Sequence, residues 1–274
     1  MERYDTLKGI IAELPGALVA YSGGADSAFL ADVAHEVLGL RMVAVTAVSE
    51  SLAPEERAQA ALVARTRGWR HEEIHTREID RPEYRQNAPD RCFFCKDELF
   101  DTLDALAIER RAAVLVGTNL DDTGDFRPGL RAAREHGVRA PLLEAGLGKD
   151  EIRELSRARG LETWDKPASA CLASRIAYGI EVTPERLDRV ARAESFLRTL
   201  GFRQLRVRDH GELARIEVPL EEVERLTEPV TRAHVVEHLK ALGFHHVTLD
   251  LEGFRSGSMN ASLLKIGRTK TREA

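Results

Sequence analysis

The chain has 274 residues, which is enough for one large domain or for two ordinary domains with separate cores. Its net charge of -5 gives no sign of a polyanionic partner such as a nucleic acid. The first residues lack a basic start followed by an apolar core, and no apolar run has the length of a membrane span. We therefore expect a soluble, cytoplasmic protein without a membrane partner.

The first half of the chain alternates apolar runs with amphipathic helical patterns. Residues 17–21 predict a buried strand, and the pattern behind them predicts a helix that ends at Gly39. Further along, residues 42–48 and 112–116 predict strands, and residues 54–68 predict a helix with proline in its first turn. This alternation is typical of an α/β fold with a mostly parallel sheet covered by helices.

The turn SGGADS lies between the first predicted strand and the helix that follows it. The adjacent Gly23 and Gly24 let the backbone bend tightly, and the amides at a helix N-terminus favour an anion. Ser22 and Ser27 add hydroxyl donors. Asp26 would repel a phosphate, so it is better explained as a ligand of a bridging Mg²⁺. The turn is predicted to hold a metal-bound triphosphate or pyrophosphate; the alternative is a plain turn with an N-cap serine.

Three other residues lie near or beyond the carboxyl ends of predicted strands: Thr46, Gly117 and Thr118. Ligands of parallel sheets bind at the carboxyl ends of the strands. We therefore expect these residues to share one crevice with the turn.

The second part of the chain contains an internal repeat. Residues 193–207 align with residues 235–249, and each copy predicts a helix, a Leu-Gly-Phe corner and an alternating strand. Residues 213–218 between the copies predict another strand. Two copies are too few for a solenoid, so the pattern indicates a small α+β domain.

The change of pattern near residue 178 sets the expected domain boundary. We predict an α/β domain over residues 1–178 and a smaller α+β domain over residues 179–274, for substrate binding or oligomerisation. The stretch 253–274, rich in Gly, Ser, Lys and Arg, is expected to be partly disordered.

Three cysteines, an odd number, favour metal binding or catalysis over disulfides in a reducing compartment. Cys92 and Cys95 form a CxxC pair that we predict in a loop before a helix, and Cys171 lies in a second loop-like segment. Three thiolates on one metal leave one position open. Zn²⁺ would need a water or a histidine there, whereas a [4Fe-4S] cluster would leave one iron for a non-protein ligand. The plainer alternatives are buried cysteines and a structural zinc half-site.

The SGGADS turn resembles the SGGxDS signature of the PP-loop ATP pyrophosphatases, which cleave ATP between its α and β phosphates and adenylate a substrate. Nearly the whole chain resembles the LarE family, ATP-dependent sulfur-insertion enzymes that help to make the nickel-pincer nucleotide cofactor of lactate racemase. The PP-loop indicates only the superfamily, whereas ACLASR with the RxR strand is more specific. The matching segments beyond the turn are DRCFFCK (90–96), GTNLDD (117–122), RPG (127–129), KPASACLASR (166–175), RVR (206–208) and RIEV (215–218).

The resemblance implies that ATP adenylates a carboxylate of pyridinium-3,5-biscarboxylic acid mononucleotide and that sulfur then replaces oxygen to give a thiocarboxylate. Family members with only the cysteine that matches Cys171 give up its sulfur and keep dehydroalanine. Members with three cysteines are thought to carry a [4Fe-4S] cluster whose open iron holds an extra sulfide. Because Cys92 and Cys95 are present, the resemblance favours the cluster, with sacrificial transfer from Cys171 as the alternative.

The resemblance also implies residue roles. Arg206 and Arg208, two apart on a strand, share one face and would grip the mononucleotide phosphate, with a solvated strand face as the alternative. Glu217 has the alternative of a surface strand residue. The remaining roles are Ser22, Gly23, Gly24 and Ser27 for pyrophosphate, Asp26 for Mg²⁺, Lys96 for the phosphates or AMP, Thr46, Gly117 and Thr118 for the nucleotide, Cys171 for sulfur transfer, and Ser174, Arg175, Glu194 and Glu217 for the substrate.

Other functions compete with this one. A PP-loop tRNA thiolation enzyme can also use a CxxC with a third cysteine, although the net charge argues against an RNA partner. A nucleotide-binding regulator would bind ATP without turnover. The expected partners are a small nucleotide substrate, a sulfur donor protein or sulfide, and further copies of the chain in a homo-oligomer such as a hexamer.

Overall fold

The computed structural model describes residues 2–124, 128–167 and 170–255. Within these ranges, no helix is both long enough and apolar enough to cross a bilayer. The strands are β1 (Ala17–Ala20), β2 (Met42–Val48), β3 (His71–His75), β4 (Ala113–Leu115), β5 (Arg206–Asp209), β6 (Leu213–Glu217) and β7 (His246–Leu249). The α-helices are α1 (Glu2–Ala12), α2 (Ala25–Leu38), α3 (Pro54–Thr66), α4 (Pro82–Arg85), α5 (Arg91–Arg110), α6 (Pro128–Glu135), α7 (Pro141–Glu144), α8 (Lys149–Ala158), α9 (Pro184–Thr199), α10 (Val223–Thr227) and α11 (Pro229–Ala241).

The chain divides into two compact units. Unit 1 contains Met1–Glu78 and Cys92–Ser169, and unit 2 contains Ile79–Arg91 and Ala170–Ala274. The short segment Ile79–Arg91, ahead of the CxxC pair, therefore belongs to the same unit as the last part of the chain, Ala170–Ala274. The tail that the sequence predicts to be disordered lies outside the described residues from position 256 onward.

Unit 1 is built on a four-stranded parallel sheet with the strand order β3-β2-β1-β4. The α/β class is thus confirmed, as are the predicted strands β1, β2 and β4. The predicted helices also form: α2 ends at Leu38, followed by Gly39 at φ +56°, and α3 runs from Pro54 to Thr66. Strand β3 was not predicted, because it lies at the sheet edge and its residues His71–His75 include no continuous apolar run.

Strand β1 lies between two apolar layers, which fixes the position of the turn that follows it. Val19 packs in a core with Phe29 of α2, whereas its neighbour Leu18 packs in a second core with Val43 of β2 and Phe100 of α5. Successive strand side chains point to opposite faces, so a strand covered on both faces is apolar throughout. Each buried side chain of this size contributes about 1.5–3 kcal/mol.

Unit 2 contains a three-stranded sheet with the order β5-β6-β7, in which β5 is antiparallel and β7 parallel to β6. The internal repeat is confirmed: α9 leads to β5 and α11 leads to β7. Both corners need glycine, since Gly201 and Gly243 have φ of +89° and +92°. Equivalent repeat positions meet, because the rings of Phe196 and His238 stack with centroids 3.9 Å apart.

Candidate functional site

The glycine-rich turn after β1 is held in shape by its own serines. The Ser22 and Ser27 hydroxyls lie 3.1 Å apart, and Ser27 Oγ donates to the Gly24 carbonyl oxygen at 3.1 Å. Gly23 has φ +75°, a conformation that side chains disfavour. These contacts fix a compact loop directly at the start of α2.

The N-terminus of α2 presents its backbone amides without a side-chain cap at Gly24, as far as the described residues show. The first amides of a helix have no partner within the helix, and the helix dipole makes this end positive. Ser22 is exposed, so the turn is open to solvent. This arrangement suits an anion such as phosphate.

Gly117 and Thr46 support this turn from neighbouring strands. A Cβ on Gly117 would lie 2.8 Å from the Ser27 backbone nitrogen, so the chain beyond β4 approaches the first turn of α2 very closely. The buried Thr46 hydroxyl donates to the Tyr21 carbonyl oxygen at 2.9 Å. Thr118 is half-buried on the segment after β4. Gly117 therefore lies against the first turn of α2, and Thr46 is bonded to the residue before the glycine-rich turn; that these residues share one ligand crevice stays a prediction.

Two carboxylates influence each other at the start of α2. Burial raises the pKa of Asp26, and the negative charge of Asp122 raises it further, while Lys149 and Asn119 act in the opposite direction. Asp122 is buried, with its Oδ1 3.2 Å from Lys149 Nζ. A cation beside Asp26 would relieve this repulsion, and carboxylate oxygens are the ligands that Mg²⁺ prefers.

Lys96 lies in the first turns of α5 and is exposed to solvent. Gly129 makes room for it: a Cβ there would lie 3.0 Å from Lys96 Cγ. The RPG and DRCFFCK segments therefore meet, at least at these two residues. Arg127 of the RPG segment lies outside the described residues.

The cysteines differ from expectation in one respect. Cys92 and Cys95 belong to α5, so the predicted loop location is wrong; the helix begins at Arg91 and places the two residues three apart on its first turn. Cys92 and Cys171 are exposed and Cys95 is half-buried. Over the described ranges, no three His, Cys, Asp or Glu side chains form a group arranged to hold a metal ion.

The segment after Cys171 is held by several hydrogen bonds to one carbonyl oxygen. The Cys171 carbonyl accepts from Ser174 Oγ at 2.7 Å, from the Ser174 amide at 3.0 Å and from Arg175 Nη1 at 3.0 Å. Arg175 Nη1 also donates to the Ala170 carbonyl oxygen. Two residues predicted to touch the substrate thus fix the backbone around Cys171.

Arg175 belongs to a buried ion cluster that includes Glu194. Its guanidinium donates to both Glu194 oxygens, at 3.0 and 3.2 Å, and both side chains are almost fully buried. Burial acts to raise the pKa of Glu194, but Arg175, then Arg206 and Arg198, outweigh it and lower the pKa. Glu194 is therefore ionised and acts as the shared counter-ion of these three arginines.

Arg206 and Arg208 lie on β5 in different environments. Arg208 donates to Glu217 Oε2 through Nε at 3.1 Å and Nη2 at 2.8 Å, and both side chains are buried. A solvated face for Arg208 and a surface position for Glu217 are therefore wrong. Arg206 is half-buried, and burial together with the charge of Arg175 lowers its pKa to about 10. A cation in such a place gains from binding an anion.

Residues that sequence reasoning passed over also support these segments: Asn87, Arg91 and Lys166. Arg91 Nη1 donates to the Ala173 carbonyl oxygen at 3.0 Å and to Asn87 Oδ1. Lys166 Nζ lies 3.0 Å from the Gly23 carbonyl oxygen. The available signal was their place inside or beside the DRCFFCK and KPASACLASR segments.

A parallel sheet with a glycine-rich turn between a strand end and a helix N-terminus is consistent with an α/β protein of the PP-loop type. The chain is 38% identical to the pyridinium-3,5-bisthiocarboxylic acid mononucleotide synthase of Lactiplantibacillus plantarum, over 95% of this chain and 94% of that protein. The chain belongs to the LarE family.

Two further relatives are uncharacterised proteins. The chain is 47% identical to one from Synechocystis sp. over 96% of this chain and 98% of that protein. It is 28% identical to one from Methanocaldococcus jannaschii over 87% of this chain and 90% of that protein. No family model matches the chain.

Proposed function

We propose that this protein is an ATP-dependent sulfur transferase that converts a carboxylate of pyridinium-3,5-biscarboxylic acid mononucleotide into a thiocarboxylate. The observation that carries the proposal is the 38% identity, over 95% of the chain, to a synthase named for the bisthiocarboxylic acid mononucleotide. The anion-binding turn at the start of α2 supports the use of ATP.

The reaction we propose has two steps. A carboxylate oxygen attacks the α-phosphorus of ATP, the bond to the bridging oxygen breaks, and pyrophosphate leaves. A sulfur nucleophile then attacks the carbonyl carbon of the acyl adenylate, and AMP leaves with the former carboxylate oxygen. The first step is needed because a carboxylate oxygen is a poor leaving group until it is attached to AMP.

The residues of unit 1 would bind ATP. The amides and hydroxyls of the SGGADS turn would hold pyrophosphate, and the exposed Lys96 would contact the phosphates or AMP. The Asp26 carboxylate fits Mg²⁺, since burial and then the negative charge of Asp122 raise its pKa, and a bound cation would offset both effects. Mg²⁺ there would neutralise charge on the phosphates.

The residues of unit 2 would hold the mononucleotide and present Cys171. Arg206 has no carboxylate contact within hydrogen-bonding distance that the described residues show, so its guanidinium would suit the mononucleotide phosphate. Arg208 would act through its ion pair with Glu217, as a support for β5 and for the Ser174 carbonyl oxygen to which it donates at 3.1 Å.

For the source of sulfur we propose a [4Fe-4S] cluster on Cys92, Cys95 and Cys171. Thiolates are the protein ligands of such clusters, and two of these cysteines share one helical turn. In the described ranges, these residues do not form a complete metal-binding group. Sacrifice of Cys171 sulfur is the second candidate, supported by the exposure of this thiol and by the three hydrogen bonds to its carbonyl oxygen.

The test is an anaerobic reaction of the full chain with ATP, Mg²⁺ and the biscarboxylic acid mononucleotide. We expect pyrophosphate, AMP and a product in which sulfur has replaced oxygen, detected by mass spectrometry. ATP binding without pyrophosphate release would favour a nucleotide-binding regulator. Thiolation of tRNA but not of the mononucleotide would favour the tRNA enzyme.

A further inference from the structure

Lys166 connects the segment that leads toward Cys171 with the glycine-rich turn. Its ammonium nitrogen donates to the Gly23 carbonyl oxygen at 3.0 Å and forms an ion pair with Glu56 Oε2 at 2.7 Å. The Lys166 side chain is 18% exposed and that of Glu56 is 28% exposed. All three residues belong to unit 1.

The contact places a positive charge beside a turn built for an anion. A Cβ on Gly23 would lie 3.1 Å from the Ala60 Cβ and 3.8 Å from Lys166 Nζ, so the ammonium lies against the loop itself. Glu56 lies in the first turn of α3, where the helix dipole favours a carboxylate. The turn therefore has an ammonium and its counter-ion at one side.

An ammonium has three donors and acts as a compact point charge, so it can keep one contact while it exchanges another. Phosphate oxygens carry more negative charge than a single carboxylate and bind an ammonium strongly. When a triphosphate enters the turn, the bond to the Gly23 carbonyl can remain while Glu56 is replaced by a phosphate oxygen.

We infer that Lys166 binds the β- and γ-phosphates of ATP, and that Glu56 holds its ammonium at the turn until ATP arrives. The inference rests on the proposed use of ATP. It assigns Lys166 to the pyrophosphate that leaves, not to the AMP portion. Glu56 has the opposite effect on affinity, because it competes with the phosphates for the same ammonium.

The experiment measures binding of three probes to the full chain by isothermal titration calorimetry: ATP and inorganic pyrophosphate, each with Mg²⁺, and AMP. Lys166→Ala should weaken pyrophosphate and ATP binding by about tenfold or more, as expected for a lost charge-assisted hydrogen bond, and leave AMP binding within about twofold. Glu56→Gln keeps the shape of the side chain and should tighten pyrophosphate binding.

The outcomes separate the two proposals. Wild-type protein that binds neither ATP nor pyrophosphate would overturn the proposed function and this inference with it. If wild type binds both probes and Lys166→Ala binds pyrophosphate equally well, the inference alone is wrong. Equal loss of AMP and pyrophosphate binding in Lys166→Ala would also overturn the inference, since that pattern indicates that Lys166 has only a structural role in the turn.

Discussion

The guanidinium of Arg91 donates a hydrogen bond of 3.0 Å to the carbonyl oxygen of Ala173. Arg91 is the residue before Cys92, and Ala173 lies two residues after Cys171. The residue before the CxxC pair is thus hydrogen-bonded to the segment after the third cysteine. Both bonded residues belong to unit 2.

Asn87 completes this connection and gives the first prediction. Its Nδ2 donates to the carbonyl oxygens of Ile176, Ala177 and Ile180, and Asn87 is fully buried at φ +54°. Asn87→Asp keeps the shape but removes the donor. We expect a loss of about 2–4 kcal/mol in the free energy of unfolding, measured by urea denaturation, because buried carbonyls lose their partner.

The matched control is Asn87→Gly, which also lacks the donor but accepts the positive φ without strain. A similar loss in both variants would assign the effect to the hydrogen bonds. Stability unchanged in Asn87→Asp would show that these carbonyls do not depend on Asn87.

The second prediction concerns Gly117. In Gly117→Ala the new Cβ would lie 2.8 Å from the Ser27 nitrogen, so the first turn of α2 and the segment after β4 must move apart. We expect pyrophosphate binding to weaken by about tenfold or more, measured by calorimetry, since the amides of this turn would no longer point at the anion.

Gly9→Ala in α1 is the control for Gly117→Ala, because a Cβ there meets no atom within 4 Å. It should leave pyrophosphate binding unchanged and stabilise the helix by up to about 1 kcal/mol. Equal pyrophosphate affinity in both alanine variants would remove Gly117 from the anion site.

The third prediction separates the two arginines of β5. Arg208→Ala removes the partner that donates two hydrogen bonds to the buried Glu217, which keeps its ion pair with Arg215 at 3.0 Å, and should cost about 3–5 kcal/mol of stability. Arg206→Ala should cost less stability, because burial and the charge of Arg175 outweigh the attraction of Glu194 for Arg206, yet it should weaken mononucleotide binding. Thermal unfolding measures the stability of both variants, and calorimetry measures their affinity for the mononucleotide. A larger stability loss in Arg206→Ala than in Arg208→Ala would contradict the prediction.

The fourth prediction is a pH dependence at His136, whose Nδ1 lies 2.7 Å from Asp104 and Nε2 lies 3.0 Å from Asp97. Burial acts to lower the pKa of His136, but these hydrogen bonds outweigh it and raise the pKa. A raised folded-state pKa stabilises the protein fully below the unfolded value of about 6.5, and this stabilisation is lost as the pH rises through the folded value.

His136→Gln should therefore destabilise the protein more at about pH 6 than at about pH 9, as measured by urea unfolding at both values. His245→Gln is the control, since His245 is 67% exposed and its ion pair with Glu212 is solvated. A destabilisation by His136→Gln that is the same at both pH values would show that the charged imidazole does not contribute.

The fifth prediction concerns the cysteines. After anaerobic reconstitution we expect about four irons per chain, the content of one [4Fe-4S] cluster. Alanine at Cys92, Cys95 or Cys171 should lower iron retention and sulfur transfer together. Sacrificial transfer instead predicts that only the Cys171 variant loses its single turnover. Mass spectrometry of Cys171 after turnover distinguishes the two mechanisms of sulfur transfer. Dehydroalanine at this position in fully reconstituted protein would exclude the cluster as the sulfur donor.

The sequence by itself determined the elements whose causes are local. Apolar runs gave β1, β2 and β4 because a strand covered on both faces must be apolar along its length, and the glycines of the SGGADS turn and the Leu-Gly-Phe corners marked conformations that other residues disfavour. The edge strand β3 has no such signal. The helical position of Cys92 and Cys95 was also not predicted, because the sequence indicates a helix only from Lys96 onward.

The partner of each charged side chain was decided only by the tertiary structure. Arg206 and Arg208 are the same residue type and lie two apart on β5, yet Arg208 is hydrogen-bonded to Glu217 from β6, while burial and the charge of Arg175 lower the pKa of Arg206 in spite of the attraction of Glu194. Likewise the hydrogen bonds from Lys166 to the Gly23 carbonyl oxygen and from Arg91 to the Ala173 carbonyl oxygen join residues that are far apart in the sequence. A sequence records which charges are present, but the energy of a charge depends on burial and on neighbours within a few ångströms, and folding alone supplies those.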